Sequence, residues 1–194
     1  MIGKRPAGEE AGGTQSGDGE EDGMAYDELR TARLVLRPWQ ERDREPFAAM
    51  NADPVVMEHF PAPLSRAQSD AYVDRIEAHF AEHGYGDWVV ESDGVFAGYT
   101  GLQWQLDLPF GPALEVGWRL ATPFWGRGIA TEAARAAVGY GLDREPSIVS
   151  VTALTNERSW RVMERLGMRR DGEFDHPRIE PGHRLRRHYV YRTP

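Results

Sequence analysis

The chain has 194 residues, a formal net charge of -8 and no cysteine. The acidic balance argues against nucleic-acid binding, which normally requires a basic surface, and the lack of cysteine excludes disulfides, thiolate metal sites and a cysteine acyl-enzyme. Since no apolar run is long enough to cross a bilayer, we expect a cytoplasmic protein that does not bind membranes.

The N-terminal residues 1–23 differ in composition from the rest of the chain. The stretch GEEAGGTQSGDGEEDG has almost no apolar side chain, so it cannot offset the entropy lost on ordering. We therefore predict a disordered acidic tail over residues 1–23 and a single domain over residues 24–194. The tail has two basic and six acidic residues, so it carries -4 of the net charge of -8 and the domain carries the other -4. That mild acidity would suit a cationic acceptor, but ordinary solubility explains it equally well.

Hydropathy patterns along the domain alternate between strand and helix periods. Ser65 is a suitable N-cap for a helix, Gly167 is a suitable helix end, and Asp93–Gly94 is typical of a hairpin turn. The predicted elements, in chain order, are a strand over 29–39, a helix over 43–52, a proline-rich loop over 53–64, a helix over 66–82, strands over 87–91, 95–103 and 113–121, a helix over 129–142, a strand over 147–155, a helix over 156–166, and strands over 168–174 and 187–192. This order predicts an α/β protein (α+β, mixed sheet) rather than a uniformly parallel sheet.

The segment PFWGRGIATEA joins the fourth predicted strand to the helix that begins at Ile129. Gly126 and Gly128 allow a sharp turn and a close approach of the backbone to a ligand. The free amides of Gly128 to Thr131, the helix dipole and the charge of Arg127 together would form an anion site that suits a pyrophosphate. The segment lacks the third glycine of a dinucleotide fingerprint and the ending of a P-loop. The pattern alone therefore leaves open whether any ligand binds.

Five groups of residues between Leu29 and Tyr191 form a recognisable set: TARLVLRPW, DPVVMEHFP, GYTGL, LEVGWRL with PFWGRGIATEA, and TNERSWRVMERLGM. In these motifs the chain resembles the GNAT superfamily of N-acetyltransferases, in its RimJ/RimL-like branch of ribosomal-protein N-acetyltransferases. The resemblance implies the GNAT fold, whose central, mostly antiparallel sheet is splayed at the cofactor site and has helices on both faces. It also implies direct transfer of acetyl from acetyl-CoA, without a metal, to a primary amine within a ternary complex. That amine would be a protein N-terminal α-amine or a small-molecule amine, and a homodimer is compatible with the resemblance.

The resemblance also assigns a cofactor site. Trp125 to Ala130 take the place of the family's Q/R-x-x-G-x-G/A loop, and Trp125 departs from that consensus at its first position. The residues expected at acetyl-CoA are Trp118, Leu120, Gly126, Arg127, Gly128, Ile129, Ala130, Thr131 and Asn156. Asn156 also suits the N-cap of the following helix, and the two roles are compatible.

Two further residues are candidates for the chemistry of acyl transfer. Glu115 lies on the fourth strand, where some members of the superfamily carry an acidic general base, although an ordinary polar strand residue remains an alternative. Many members use a tyrosine as proton donor at the position of Met163, which cannot donate a proton. Ser159 could replace it or could be a simple polar residue of the first helical turn. The methionine keeps open a non-catalytic CoA-binding or protein-interaction module as the alternative function.

Several weaker candidates lie elsewhere in the sequence. His79 and His83 have the helical spacing of a metal pair, but no third ligand accompanies them, so we expect no metal. A basic cluster near the last strand could contact a phosphate or an acidic acceptor, or be surface charge; it consists of Arg184, Arg186, Arg187 and His188. Four aromatic residues flank the expected acceptor channel, namely Tyr85, Trp88, Trp104 and Phe110. Core packing is the preferred interpretation for Trp88.

Overall fold

The computed structural model describes residues 27–194, so the predicted acidic tail lies outside the described residues. The strands are β1 (Leu29–Arg30), β2 (Leu34–Arg37), β3 (Asp87–Ser92), β4 (Val95–Gln105), β5 (Ala113–Leu120), β6 (Ile148–Ala153), β7 (Arg169–Asp175) and β8 (Arg187–Arg192). The helices are α1 (Arg44–Ala52), α2 (Arg66–His83), α3 (Ile129–Leu142) and α4 (Glu157–Arg165). The strands form one open sheet of eight strands in the order β1-β2-β3-β4-β5-β6-β8-β7.

The sheet is antiparallel except between β5 and β6. The β3–β4 hairpin turns at Asp93 and Gly94, with φ angles of 52° and 76°, as the sequence predicted. The parallel pair is in register only at Leu114 with Ile148 and at Glu115 with Val149. Beyond Glu115 the two strands are no longer paired, which opens a wedge-shaped gap in the middle of the sheet. The predicted mixed sheet, splayed at this point, is confirmed.

Helices cover both faces of the sheet. On one face, the Tyr99 ring of β4 packs against Phe47 of α1 and Tyr72 of α2, with ring centroids 5.9 and 6.1 Å away. On the other face, Leu102 meets α3 so closely that a Cβ on Gly141 would lie 3.0 Å from its Cδ1. A hydrophobic core on each side therefore fixes the central strands, whose side chains alternate between the two faces.

The N-cap of α2 follows the sequence prediction. The Ser65 side chain accepts a hydrogen bond from the Gln68 amide, and the Ser65 amide donates to Gln68 Oε1 at 2.8 Å, which forms a capping box. The helix ends at Gly84 in the left-handed conformation, with a φ of 75°. Among residues 27–194, no helix is both long and apolar enough to cross a membrane.

The prediction of one continuous strand over 29–39 was wrong. The chain turns back between β1 and β2, and Leu29 pairs with Leu36 in an antiparallel hairpin. The cause is Thr31, whose hydroxyl accepts a hydrogen bond from the Leu34 amide at 3.0 Å and whose own amide donates to the Leu34 carbonyl. Such local side-chain bonds compete with strand pairing, and hydropathy alone does not reveal them.

Candidate active site

One continuous cavity of about 830 Å³ occupies the gap between β5 and β6. It extends from the N-terminus of α3 to a group of polar side chains on β3, β4 and β5. We call the end near α3 the cofactor half and the opposite end the acceptor half. Since both ends belong to one cavity, two molecules bound there would meet at the point where the strands diverge.

The cofactor half contains the predicted glycine loop. Gly126 and Gly128 have left-handed φ angles of 72° and 78°, and a Cβ on Gly126 would meet no atom within 4 Å. The loop is fixed by Trp125, whose Nε1 donates to the Leu120 carbonyl at 2.8 Å. The open space over the glycines and the free amides of the α3 N-terminus fit the pyrophosphate of a CoA molecule.

The structure brings nearly all of the predicted cofactor residues together. Those that line the cavity are Trp118, Leu120, Gly126, Gly128, Ile129, Ala130, Thr131 and Asn156. Arg127 does not line it: its guanidinium lies over Phe124 and its carbonyl accepts a hydrogen bond from Arg33. The expected contribution of Arg127 to the anion site is therefore not supported by its position.

Three arginines of α4 also line the cofactor half, and the sequence analysis missed them. Arg158, Arg161 and Arg165 lie on one side of the helix, and the Arg158 guanidinium lies 4.5 Å from the centre of the Trp125 ring. Their spacing of three and four residues places them on a common helical face, which was a detectable signal. They place positive charge at the wall of the cofactor half, where the phosphates of a ligand would need it.

At the start of α4, Asn156 forms the predicted N-cap. Its Oδ1 accepts a hydrogen bond from the Ser159 amide at 3.3 Å, and both residues line the cavity. Met163 is fully buried in the core and does not reach the cavity. Ser159 therefore lies at the cavity wall, on the helix where the family's usual tyrosine position is a buried methionine.

Two carboxylic acids mark the acceptor half, the buried Asp87 and the half-buried Glu115. Asp87 Oδ2 accepts hydrogen bonds from Gln103 Nε2 at 2.7 Å and from the Tyr72 hydroxyl at 3.4 Å. Glu115 Oε1 accepts one from the Val151 amide at 3.3 Å, across the gap between β5 and β6. Burial raises the pKa of each carboxyl to about 7, which suits proton transfer near neutral pH.

Two loops enclose the acceptor half, the segments 53–64 and 176–186. Arg184 donates to the Glu58 carbonyl at 2.8 Å and so joins them. His59, from the first loop, lines the cavity with its Nδ1 3.4 Å from Thr155 Oγ1, and burial lowers its pKa. Within the basic cluster, Arg186 and Arg187 form ion pairs with β7 carboxylates, so they are not free to bind an acidic acceptor.

The flanking aromatic residues named from the sequence do not line the cavity. Trp88 is a core residue that packs on Phe80 and Tyr140, and Tyr85, Trp104 and Phe110 also lie outside the cavity wall. The aromatic residues that do line it are Phe60, Tyr72, Tyr99, Trp118, Phe124 and Trp125. His79 and His83 have their rings 4.4 Å apart, and the described residues contain no group of three or more side chains that could hold a metal ion.

Comparison with known proteins agrees with this geometry. Residues 33–169 match the family model described as the acetyltransferase (GNAT) domain. The Bacillus subtilis protein YkkB is 31% identical over 150 residues, which cover 74% of this chain and 86% of YkkB. An acetyltransferase from Agrobacterium tumefaciens has 26% identity and a TM-score of 0.72, covering 88% of this chain and 95% of that one.

A RimJ structure from Mycobacterium smegmatis, in complex with CoA-disulfide, has the same fold. Its TM-score is 0.68 at 19% identity, with 88% of each chain covered. The glycine loop at α3, the splayed strands and the match over most of the sequence lead to one conclusion. The chain belongs to the GNAT acetyltransferase family and is an acetyl-CoA-dependent acyltransferase.

Proposed function

We propose that the protein transfers the acetyl group of acetyl-CoA to a primary amine, by direct attack within a ternary complex. The observation that carries the proposal is Glu115, an acid with a pKa raised to about 7 at the junction of the two cavity halves. A general base is most effective when its pKa is close to the working pH. A primary amine is mostly protonated at neutral pH, so it needs such a group before it can attack.

The residues of the cofactor half would bind the cosubstrate. Acetyl-CoA supplies the acetyl group as an activated thioester. The amides at the start of α3 and the α4 arginines would hold its phosphates, while the edge of β5 from Gly117 to Leu120 is unpaired towards β6 and can bind polar groups of the pantetheine arm. A backbone amide near Trp118 would stabilise the negative charge that develops on the thioester oxygen.

The reaction needs one group that accepts protons from the amine and one that donates a proton to the sulfur, and we assign these roles to Glu115 and Ser159. Glu115 would take the proton of the ammonium and pass it to solvent, and would then accept the second proton that the attacking amine loses as the C–N bond forms and the thioester C–S bond breaks. Ser159 would donate its proton to the departing sulfur and recover one from solvent through the cavity. Both residues line the same cavity, which supports their cooperation without any covalent acyl-enzyme.

The test measures thiol release from acetyl-CoA with purified protein, with and without amines. Peptides with free N-termini, amino acids, their amides and simple alkylamines form the panel. Amine-dependent release, with the acetylated amine identified by mass spectrometry, is the expected result. Tight CoA binding with no turnover on any amine would instead support the non-catalytic CoA-binding module.

We expect Gly126→Ala to weaken CoA binding by at least about tenfold. The left-handed φ of 72° is strained for alanine, and the added methyl group would occupy the open space at the anion site that the ligand needs. Titration calorimetry with CoA measures the effect. Gly182→Ala is the matched control, since Gly182 has a φ of 83° with open space around its Cβ but does not line the cavity. Equal CoA affinity in the two variants would contradict this assignment of the glycine loop.

A further inference from the structure

Arg119 is a buried arginine with no carboxylate at ion-pair distance in the described part of the chain, although its charge partly offsets the raised pKa of Asp87. Only 8% of its surface is exposed, and it forms no ion pair with any aspartate or glutamate among residues 27–194. Its Nη1 donates to Asn51 Oδ1 at 2.5 Å, but its Nε is buried with no hydrogen-bond partner. Arg37 is equally buried, yet it has both Asp43 and Glu91 as ion-pair partners. A buried charge normally has such a partner, so Arg119 is exceptional in this structure.

The guanidinium of Arg119 lies in the acceptor half of the cavity. It sits 4.0 Å from the centre of the Phe60 ring and 5.5 Å from that of Tyr99, and all three residues line the cavity. Phe60 belongs to the loop over 53–64, which encloses this half. The charge is thus held by aromatic faces on a rigid strand, in a residue that lines the cavity.

The position of Arg119 relative to the acids defines the two ends of an acceptor. Every second residue of β5 points to the same face of the sheet, so one face carries Glu115, Gly117 and Arg119. Gly117 lies about 7 Å along the strand from each of the other two. Gly117 pairs with Gly101, which pairs with Asp87. A Cβ on Gly117 would meet no atom within 4 Å. A small molecule seated over Gly117 would therefore have Glu115 towards one end of β5 and the Arg119 guanidinium towards the other, with Asp87 two strands away at the level of Gly117.

We infer that Arg119 binds a carboxylate of the acceptor, so that the acetylated amine belongs to an amino-acid-like molecule with a free carboxylate close to the amine. The inference takes the reaction, acetyl transfer to an amine, from the proposed function. Recognition of the carboxylate does not depend on that proposal. An arginine fork is well matched to a carboxylate, and the orphan Nε provides one of the two donors such a pair requires. An N-terminal peptide amine would place an uncharged amide group at the same position.

A purely structural role makes a different prediction. Arg119 bonds to Asn51 of α1, and Asn51 Nδ2 donates to Ser69 Oγ of α2 at 2.9 Å, so this chain of contacts also joins both helices to the sheet. If Arg119 served only to join the helices to the sheet, removing its charge would lower the activity towards every acceptor by the same factor. Carboxylate recognition instead changes the ratio between acceptors that carry the group and those that lack it.

The experiment compares three forms of each acceptor: the twenty L-amino acids, their carboxamides and the corresponding decarboxylated amines. For the wild-type protein we expect kcat/KM to be at least about 30-fold higher for the free acids than for the amides and amines. This factor is the lower end of the effect measured when one partner of a buried charge pair is removed. Arg119→Gln should remove that preference, mainly by raising KM for the acids, and should change amides and amines by less than about threefold. Arg119→Lys should retain part of the preference, since it keeps the charge but loses the fork.

Arg178→Gln is the matched control. Arg178 also lines the acceptor half, but it is already paired with Asp107 at 2.7 Å, so we expect the preference for acids to remain in that variant. CoA binding and thermal melting of each variant show that it is folded. A wild-type enzyme that acetylates amides and amines as well as acids would overturn the inference and leave the proposed function intact, and a uniform loss for all acceptors in Arg119→Gln would also overturn it.

Direct binding separates this inference from the proposed function. If no probe is acetylated, calorimetry of the same amino acids and amides into the CoA-loaded protein measures recognition alone. Binding of acids but not amides, lost in Arg119→Gln, would support the carboxylate site although the proposed transfer had failed. Equal binding of both forms, or no binding of the acids, would refute it.

Discussion

Replacing Gly98 with alanine is expected to destabilise the protein by about 3 kcal/mol, the combined effect of backbone strain and overpacking. Gly98 lies on β4 opposite Leu120, with a φ of 144°. A Cβ there would lie 2.1 Å from the Arg119 carbonyl oxygen and 2.7 Å from the Leu120 Cα. These atoms are backbone atoms of β5, so no side-chain rotation can relieve the clash. Chemical denaturation at 25 °C measures the loss.

Gly139→Ala is the control for this substitution. Gly139 is an exposed residue within α3, and an added Cβ would meet no atom within 4 Å. Alanine is favoured over glycine in a helix by up to about 1 kcal/mol, so this variant should be slightly more stable than the wild type. Equal denaturation midpoints for Gly98→Ala and the wild type would show that β4 and β5 can separate at low cost.

The close approach at Gly98 also matters for the cofactor half. Leu120, its partner on β5, lines the cavity and accepts the hydrogen bond from Trp125 that fixes the glycine loop. A displacement of Leu120 would therefore move the loop. We expect the destabilised variant to lose CoA affinity as well, even though Gly98 itself does not line the cavity.

The cofactor half was largely predictable from the sequence because its parts are close together in the chain. Gly126, Gly128 and the start of α3 form a local signal, and the αL conformations that the glycines permit are present. The Asn156 cap is equally local. Arg127 is harder to predict, because the direction of a side chain in a loop depends on its neighbours, here Phe124 and Arg33, which a one-dimensional pattern does not give.

The acceptor half could not be predicted in the same way. Asp87, Arg119 and His59 come from three distant segments, and what places them together is the register of β3, β4 and β5 and the path of the loop over 53–64. Asp87 appeared as one polar residue at the start of a strand. Only the pairing of Gly101 with Asp87 and with Gly117 shows that Asp87 packs tightly against Gly101 and that the open space lies one strand further, over Gly117. Glu115 was named through a family resemblance, and its role remains a proposal.

Replacing Glu115 with glutamine is expected to lower kcat/KM by about 10²-fold at pH 7.5, the loss typical of a missing general base. Glutamine has nearly the same shape and its Oε1 can still accept the hydrogen bond from the Val151 amide, so the cavity should keep its form. Steady-state kinetics with the best amine of the panel measures the loss. CoA affinity, determined by calorimetry, should change little because the carboxyl lies beyond the cofactor half.

The pH dependence identifies the group more sharply than the rate alone. Burial raises the pKa of Glu115 to about 7, and a base must be ionised to accept a proton. Wild-type activity should therefore fall as the pH is lowered through 7 and level off above it. In Glu115→Gln this inflection should disappear. If a variant with normal CoA affinity keeps both its rate and its inflection, the base is another group.

Asp87→Asn is the matched control, because Asp87 also lies in the acceptor half with a pKa raised to about 7 by burial. We expect a smaller loss of activity than in Glu115→Gln, with the inflection retained, since Oδ2 of Asp87 is already held by hydrogen bonds from Gln103 and Tyr72. A larger loss in Asp87→Asn would reverse the two roles.

Stability distinguishes a lost base from a damaged fold. A carboxyl whose folded-state pKa is raised favours folding below its unfolded pKa of about 4.5, and that contribution is lost as the pH rises through 7. Glu115→Gln removes the cost of burying the ionised form, so it should be more stable than the wild type at pH 8 by on the order of 1–3 kcal/mol, and equal to it at pH 4. A variant that is more stable at pH 8 and about 10²-fold slower would mean that the buried acid is maintained for catalysis at the expense of the fold.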